Sequence, residues 1–152
     1  MPNFESLVAY CGLYCGDCKI RKNEIADLAK QLMDKLDESH FEREAAGLAQ
    51  MVDEMKALSH YGEFRDALCA LDKYRCSAVC KQGGGTKSCP IRKCCVEKRI
   101  EGCWLCPEFE QCETLAWLRP VNGDANLKNL RIMKTRGIYV FLSGPKYWSA
   151  ES

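Results

Sequence analysis

The sequence predicts a mainly α-helical protein in which a helical scaffold packs on a small, irregular, cysteine-rich zinc module. Three observations predict it. Apolar residues recur at helical spacing over residues 24–74, the chain has twelve cysteines in 152 residues, and most of those fall in close-set groups. With 47% apolar and 28% charged residues the composition is that of an ordinary globular protein, so a core is expected beside the metal sites. The chain reads as one domain, residues 1–152, comprising the scaffold at 24–74, cysteine-rich segments at 8–20 and 75–118, and a helical segment at 119–152.

Residues 24–36 place Ile25, Leu28, Ala29, Leu32 and Leu36 on one helical stripe. Ser39 followed by Glu42 is a capping-box pattern opening a second helix, with Phe41, Ala45, Leu48, Val52 and Met55 inward. A third helix, from about Tyr61 to Tyr74, turns Phe64, Ala67, Leu68 and Leu71 to the core. Met33, Met51 and Met55 read as core fillers, and His40 and His60 as cap or loop residues. Further on, Pro90 suits a first helical position and Ile91–Arg99 forms a short helix that Gly102 can end. Pro107 opens another, running to about Leu118. After a Pro120–Gly123 turn, Leu127, Leu130 and Met133 continue as a helix stopped by Gly137, and Ile138–Leu142 adds a final helical turn.

The cysteines read Cys11-x3-Cys15-x2-Cys18, Cys76-x3-Cys80, Cys89-x4-Cys94-Cys95 and Cys103-x2-Cys106-x5-Cys112. Thiolates two to four residues apart can reach one tetrahedral ion across a tight turn, so Cys11, Cys15, Cys18, Cys76, Cys80, Cys89, Cys94, Cys103, Cys106 and Cys112 are the expected metal ligands. Ten thiols suffice for two four-sulfur sites, which gives an expectation of two or more zinc ions. Three N-terminal thiols cannot close such a site, so the segment around Cys11–Cys18 is expected to meet the one beyond residue 75. Cys69, at helical spacing with Leu68 and Leu71, and Cys95, next to Cys94, are expected to be buried or spare thiols rather than ligands.

Disulfides are the alternative use of so many cysteines. The opening Met1-Pro2-Asn3-Phe4-Glu5 has neither the basic nor the apolar region of a secretory leader, and the longest apolar runs, such as Ile138–Leu142, are too short to span a bilayer. A reducing cytoplasm is therefore expected, where clustered cysteines serve as ligands.

Other motifs lead less far. The Cys11/Cys15/Cys18 spacing matches the three-cysteine motif of radical S-adenosylmethionine enzymes, but amphipathic helices follow it, without strand–helix alternation. Lys81–Ser88 has Thr86 where a phosphate loop needs glycine, and reads as a flexible connector. The ferredoxin cysteine run is not reproduced, although an iron–sulfur cluster remains the main rival to zinc. No nucleophile–base pair can be argued from His40 and His60.

The ordered set of Tyr10-Cys11-Gly12-Leu13 with Cys15 and Cys18, Cys76/Cys80 before a glycine run, Cys89-Pro90-Ile91-Arg92-Lys93-Cys94, and Gly102-Cys103-Trp104-Leu105-Cys106 with Phe109 and Cys112 resembles the cysteine-rich prokaryotic "domain of unknown function 3795" family. The resemblance covers about residues 8–118 and departs from the family at Cys76–Cys80, where three residues replace two. It implies zinc binding, a cytosolic bacterial or archaeal setting and no established activity.

The function expected is a non-catalytic, zinc-stabilised interaction module with a protein partner and no membrane. Thiol-redox or metal handling is the alternative. Nucleic-acid binding is a weaker one: residues 24–66 hold eleven acids and five bases, net −6, and residues 67–152 fourteen bases and eight acids, net +6, without a groove-reading pattern. Trp104, Phe109 and Trp117 are spaced to pack the module, or one of them to dock a partner.

Overall fold

The computed structural model describes residues 4–149; residues 1–3 of the opening segment considered above and residues 150–152 lie outside it. The described chain is mainly helical, and its extended backbone forms only an isolated bridge between Val8 and Tyr14. It divides into two compact units, residues 22–76 and residues 4–21 with 77–149.

The first unit holds α1 (Glu24–Glu38), α2 (Glu42–Met51), a 3-10 helix at Asp53–His60, and α3 (Tyr61–Lys73). Its ends meet where the Cys76 N–H donates to Asn23 Oδ1 at 3.0 Å. The inward face of α1 differs from the expected stripe. Ala29 and Leu36 of that stripe do lie inward, with Met33, Leu68 and Cys69, and Ala26 is buried as well, whereas Ile25, Leu28 and Leu32 are 46%, 64% and 43% exposed. Ala29 leaves room for Met33 and Leu68 to pack between α1 and α3, so the smaller residue takes the inward face there. Phe64, Leu71, Met51 and Met55 are likewise exposed rather than core. Ion pairs join the helices instead: Arg65–Asp37 at 2.9 Å, and Arg75 with Asp27 and with Asp72.

Ser39 does not cap α2. Its hydroxyl donates to the Leu36 carbonyl at 3.1 Å, closing α1, and His40 follows at φ 54° as a loop residue. A serine hydroxyl that bonds back three residues is no longer available to the next helix. After Met51 the extended Val52 ends the α-helix, so the expected continuation to Met55 is a separate 3-10 turn.

The second unit is built from α4 (Pro90–Glu97), α5 (Glu113–Ala116), α6 (Arg119–Asn122), α7 (Ala125–Arg136) and α8 (Ile138–Ser143), with short 3-10 turns between. Pro90 occupies the first turn of α4 as expected. The expected helix from Pro107 to Leu118 is broken: a 3-10 turn at Phe109–Gln111 gives way to extended Cys112, and α5 begins after it. Pro120 lies inside the one-turn α6, which Gly123 ends. The final turn is helical, as Ile138–Leu142 predicted, and Phe141 is fully buried edge-on to Tyr14.

One core unites this unit. Val8, Leu13, Tyr14, Ile91, Trp104, Phe109, Leu115, Leu130, Met133 and Phe141 pack with Cys11, Cys95 and Cys103. Three asparagines, which the sequence pattern did not single out, are buried on α6 and α7. Asn129 donates to the Tyr147 carbonyl at 2.9 Å and accepts from its N–H at 3.0 Å, and Asn122 donates to the Trp148 carbonyl at 2.7 Å. These side chains pin residues 147–148 by pairing backbone groups that would otherwise lose water unpaid.

Candidate metal centre

Most cysteines of the second unit sit in or beside short turns, where a turn can aim two thiols at a common point, and Cys94 and Cys95 lie within α4. Cys11 lies in the turn that brings the Ala9 N–H back to the Leu13 carbonyl at 2.8 Å. Cys15 starts a 3-10 turn, Cys80 another, and Cys89 caps α4. The Gly83–Gly85 run is a packed turn rather than a loose tether. Gly84 is buried, its N–H donates to the Val79 carbonyl, and a Cβ there would stand 1.7 Å from the Ala78 oxygen.

The chain then reverses after α4. The Ile100 N–H reaches the Cys95 carbonyl at 3.0 Å, with Arg99 at φ 54° in the left-handed position that usually takes glycine. The reversal returns Cys103 to the core, where its N–H donates to the Tyr10 carbonyl at 2.8 Å. The N-terminal segment and the later cysteine-rich segment therefore meet.

Two neighbourhoods of thiols result. Burial pushes the Cys11 thiol up to about 12, a Leu13 backbone hydrogen bond opposes this, and the thiols of Cys80, Cys89 and Cys15 add to it. Cys94 is raised by burial and by Cys95, Cys112 and Cys106, while Lys98 pulls it down. Cys103 is raised through its contact with Cys95, by burial, and by Cys11 and Cys112. Cys15, Cys80 and Cys89 thus act on Cys11, and Cys95, Cys106 and Cys112 on Cys94, while Cys103 feels both Cys11 and Cys112 and touches Cys95, so it links the two neighbourhoods. Lys98 Nζ stands 3.8 Å from Cys106 Sγ.

Of the ten expected ligands, Cys18 ends the Cys15–Asp17 turn, and the Cys76 N–H donates to Asn23 Oδ1 within the helical unit. Cys69 Sγ sits 3.6 Å from Met33 Sδ in the α1–α3 core, a packing position. No disulfide joins any of the twelve cysteines. Among the described residues, no three Cys, His, Asp or Glu side chains stand in a ready metal-ligand arrangement.

The chemistry of the donor set nonetheless fits a thiophilic dication. Each group offers four sulfurs and no imidazole, and sulfurs that disfavour each other's ionisation are relieved by a shared positive charge. Beside the second group, a cavity of about 130 Å³ is lined in part by Cys112, Arg119 and Asn126. The Asn126 side-chain N–H₂ is buried without a hydrogen-bond partner, the kind of donor that steadies a thiolate. Trp104 and Phe109 are buried in packing roles, and Trp117 is 47% exposed.

Residues 7–117 match the family described as "Protein of unknown function (DUF3795)". The chain belongs to the DUF3795 family. The matched segment contains all twelve cysteines, while α6, α7, α8 and the asparagine-pinned residues 147–148 lie beyond it. No curated protein matches the chain. No solved structure does either. The DUF3795 match therefore fixes membership, and any role must be argued from the thiols.

Proposed function

We propose that this DUF3795 protein is a non-catalytic interaction module stabilised by two zinc ions, one held by Cys11, Cys15, Cys80 and Cys89 and the other by Cys94, Cys103, Cys106 and Cys112. The observation that carries this reading is the convergence of seven of these eight cysteines, from separate turns, on one core cluster. Zinc suits the varied spacing, since it imposes no geometry beyond four-coordination. Bound there, it would supply cross-links between segments and hence folding free energy. Four thiolates around a dication leave no open position for substrate or water, which supports a structural role over a catalytic one.

A protein partner is supported by the apolar side chains left on the surface of this unit: Val96, Leu105, Trp117, Val121 and Tyr139 are 47–75% exposed. A reducing prokaryotic cytoplasm is the proposed setting, since thiols held for metal require it. No helix among the described residues is long and apolar enough to cross a membrane.

The test is a set of eight single Cys→Ser variants read by native mass spectrometry. Each variant in one group should lose one metal equivalent and keep the other, and Cys69→Ser should keep both. Retention of two equivalents by most of the eight would overturn the assignment. Visible charge-transfer absorbance in anaerobically purified protein would favour the iron–sulfur alternative.

A further inference from the structure

The Cys95 and Cys103 sulfurs lie 3.5 Å apart, in van der Waals contact, with 1% and 7% of the residues' surfaces exposed. On the zinc reading above, eight thiols complete two four-sulfur groups and Cys95 is surplus. It neighbours Cys94 on α4, and consecutive helical side chains project about 100° apart, so the two cannot readily share one ion. Cys95 instead points at a sulfur assigned to the second group. The turn through Arg99 and the Cys103–Tyr10 hydrogen bond hold the two cysteines opposite each other.

We propose that Cys95 and Cys103 form a peroxide-sensitive dithiol whose closure to a disulfide withdraws Cys103 from the second metal group and releases that ion. The release rests on the zinc reading above; the disulfide does not. In the first step a Cys95 thiolate attacks hydrogen peroxide, the O–O bond breaks, and one oxygen leaves as water after taking up a proton. Cys95 is then a sulfenic acid. Cys103 attacks its sulfur, the S–S bond forms as the S–O bond breaks, and the second oxygen leaves as water. Two thiols lose two electrons in all, and one peroxide gains them. Burial of both sulfurs selects a small neutral oxidant and disfavours bulky disulfides such as oxidised glutathione.

The experiment treats the purified full chain with hydrogen peroxide, maps cysteine linkages by fragmentation mass spectrometry that separates Cys94 from Cys95, and follows released metal with a chromogenic chelator. The expected result is a Cys95–Cys103 disulfide and a fall of one metal equivalent per chain. Cys95→Ala should bind two equivalents and hold both under the same exposure; should it fold poorly, Cys95→Ser gives the same comparison. Absence of the Cys95–Cys103 linkage while other thiols oxidise would overturn the proposal. So would metal loss from the Cys95 variant as fast as from the parent. A chain that forms the linkage but carries no metal would sink the zinc reading and leave the dithiol standing.

Discussion

Gly102 is the position where one added methyl group should cost most. Its φ of 177° is open to any residue, so the cost of Gly102→Ala is purely steric. A Cβ there would stand 1.9, 2.3 and 2.4 Å from three carbons of the Trp104 ring. Carbon atoms pack at about 3.5–4.0 Å, so the ring must retreat by about 1.5 Å. Trp104 is 6% exposed in the unit's core, with Lys81 5.3 Å above its face, so little room exists for that retreat. Overpacking of this kind costs about 1–3 kcal/mol, and a large rigid ring belongs at the upper end. For a chain of this size, 3 kcal/mol lowers Tm by about 6–12 °C. The assay is urea denaturation and thermal melting followed by far-UV circular dichroism, with Gly62→Ala as comparison. Gly62 lies in α3, and a Cβ there would meet nothing within 4 Å, so that change should be neutral or stabilise by up to about 1 kcal/mol. A Gly102→Ala protein within about 0.5 kcal/mol of the parent would refute the packing argument.

Asn129→Ala removes both hydrogen bonds to the Tyr147 backbone and leaves a small cavity, and should cost about 2–4 kcal/mol by urea denaturation. Met33→Ala should destabilise by about 2–4 kcal/mol while Leu28→Gln stays within about 0.5 kcal/mol; the reverse order would restore the stripe first read from the sequence. The metal-free protein should lose stability as pH rises from about 9 toward 12. There the unfolded Cys11 thiol ionises while the folded one, raised to about 12, stays protonated, so the unfolded state binds fewer protons; a profile rising over this window would contradict the burial of Cys11.

Helix positions were legible because periodic apolar residues, Pro90 and Gly137 are local signals. Which face turned inward was not. On α1 the expected stripe joined Ala29 and Leu36, which do pack inward, to Ile25, Leu28 and Leu32, which stay exposed while Ala26 is buried, and helical spacing alone does not rank these faces. Ser39 matched the capping pattern, yet its hydroxyl had a nearer carbonyl in Leu36. The meeting of the segment around Cys11 with the later cysteine-rich one was expected, and the Cys103–Tyr10 hydrogen bond joins them. That Cys80 and Cys89 act on Cys11 depends on the return path of the chain, which no spacing encodes. The contact of Cys95 with Cys103 likewise rests on the left-handed turn at Arg99, a residue with little propensity to announce it. Asn122, Asn126 and Asn129 were missed because polar residues read as surface; their spacing beside Leu130 and Met133 was the available signal.

The central claim is that eight thiols hold two zinc ions. Elemental analysis of protein purified without chelator, with sulfur and metal quantified in the same sample, tests it most directly. The account predicts two zinc per chain of twelve cysteines. Fewer than one metal per chain, or iron accompanied by acid-labile sulfide, would contradict it.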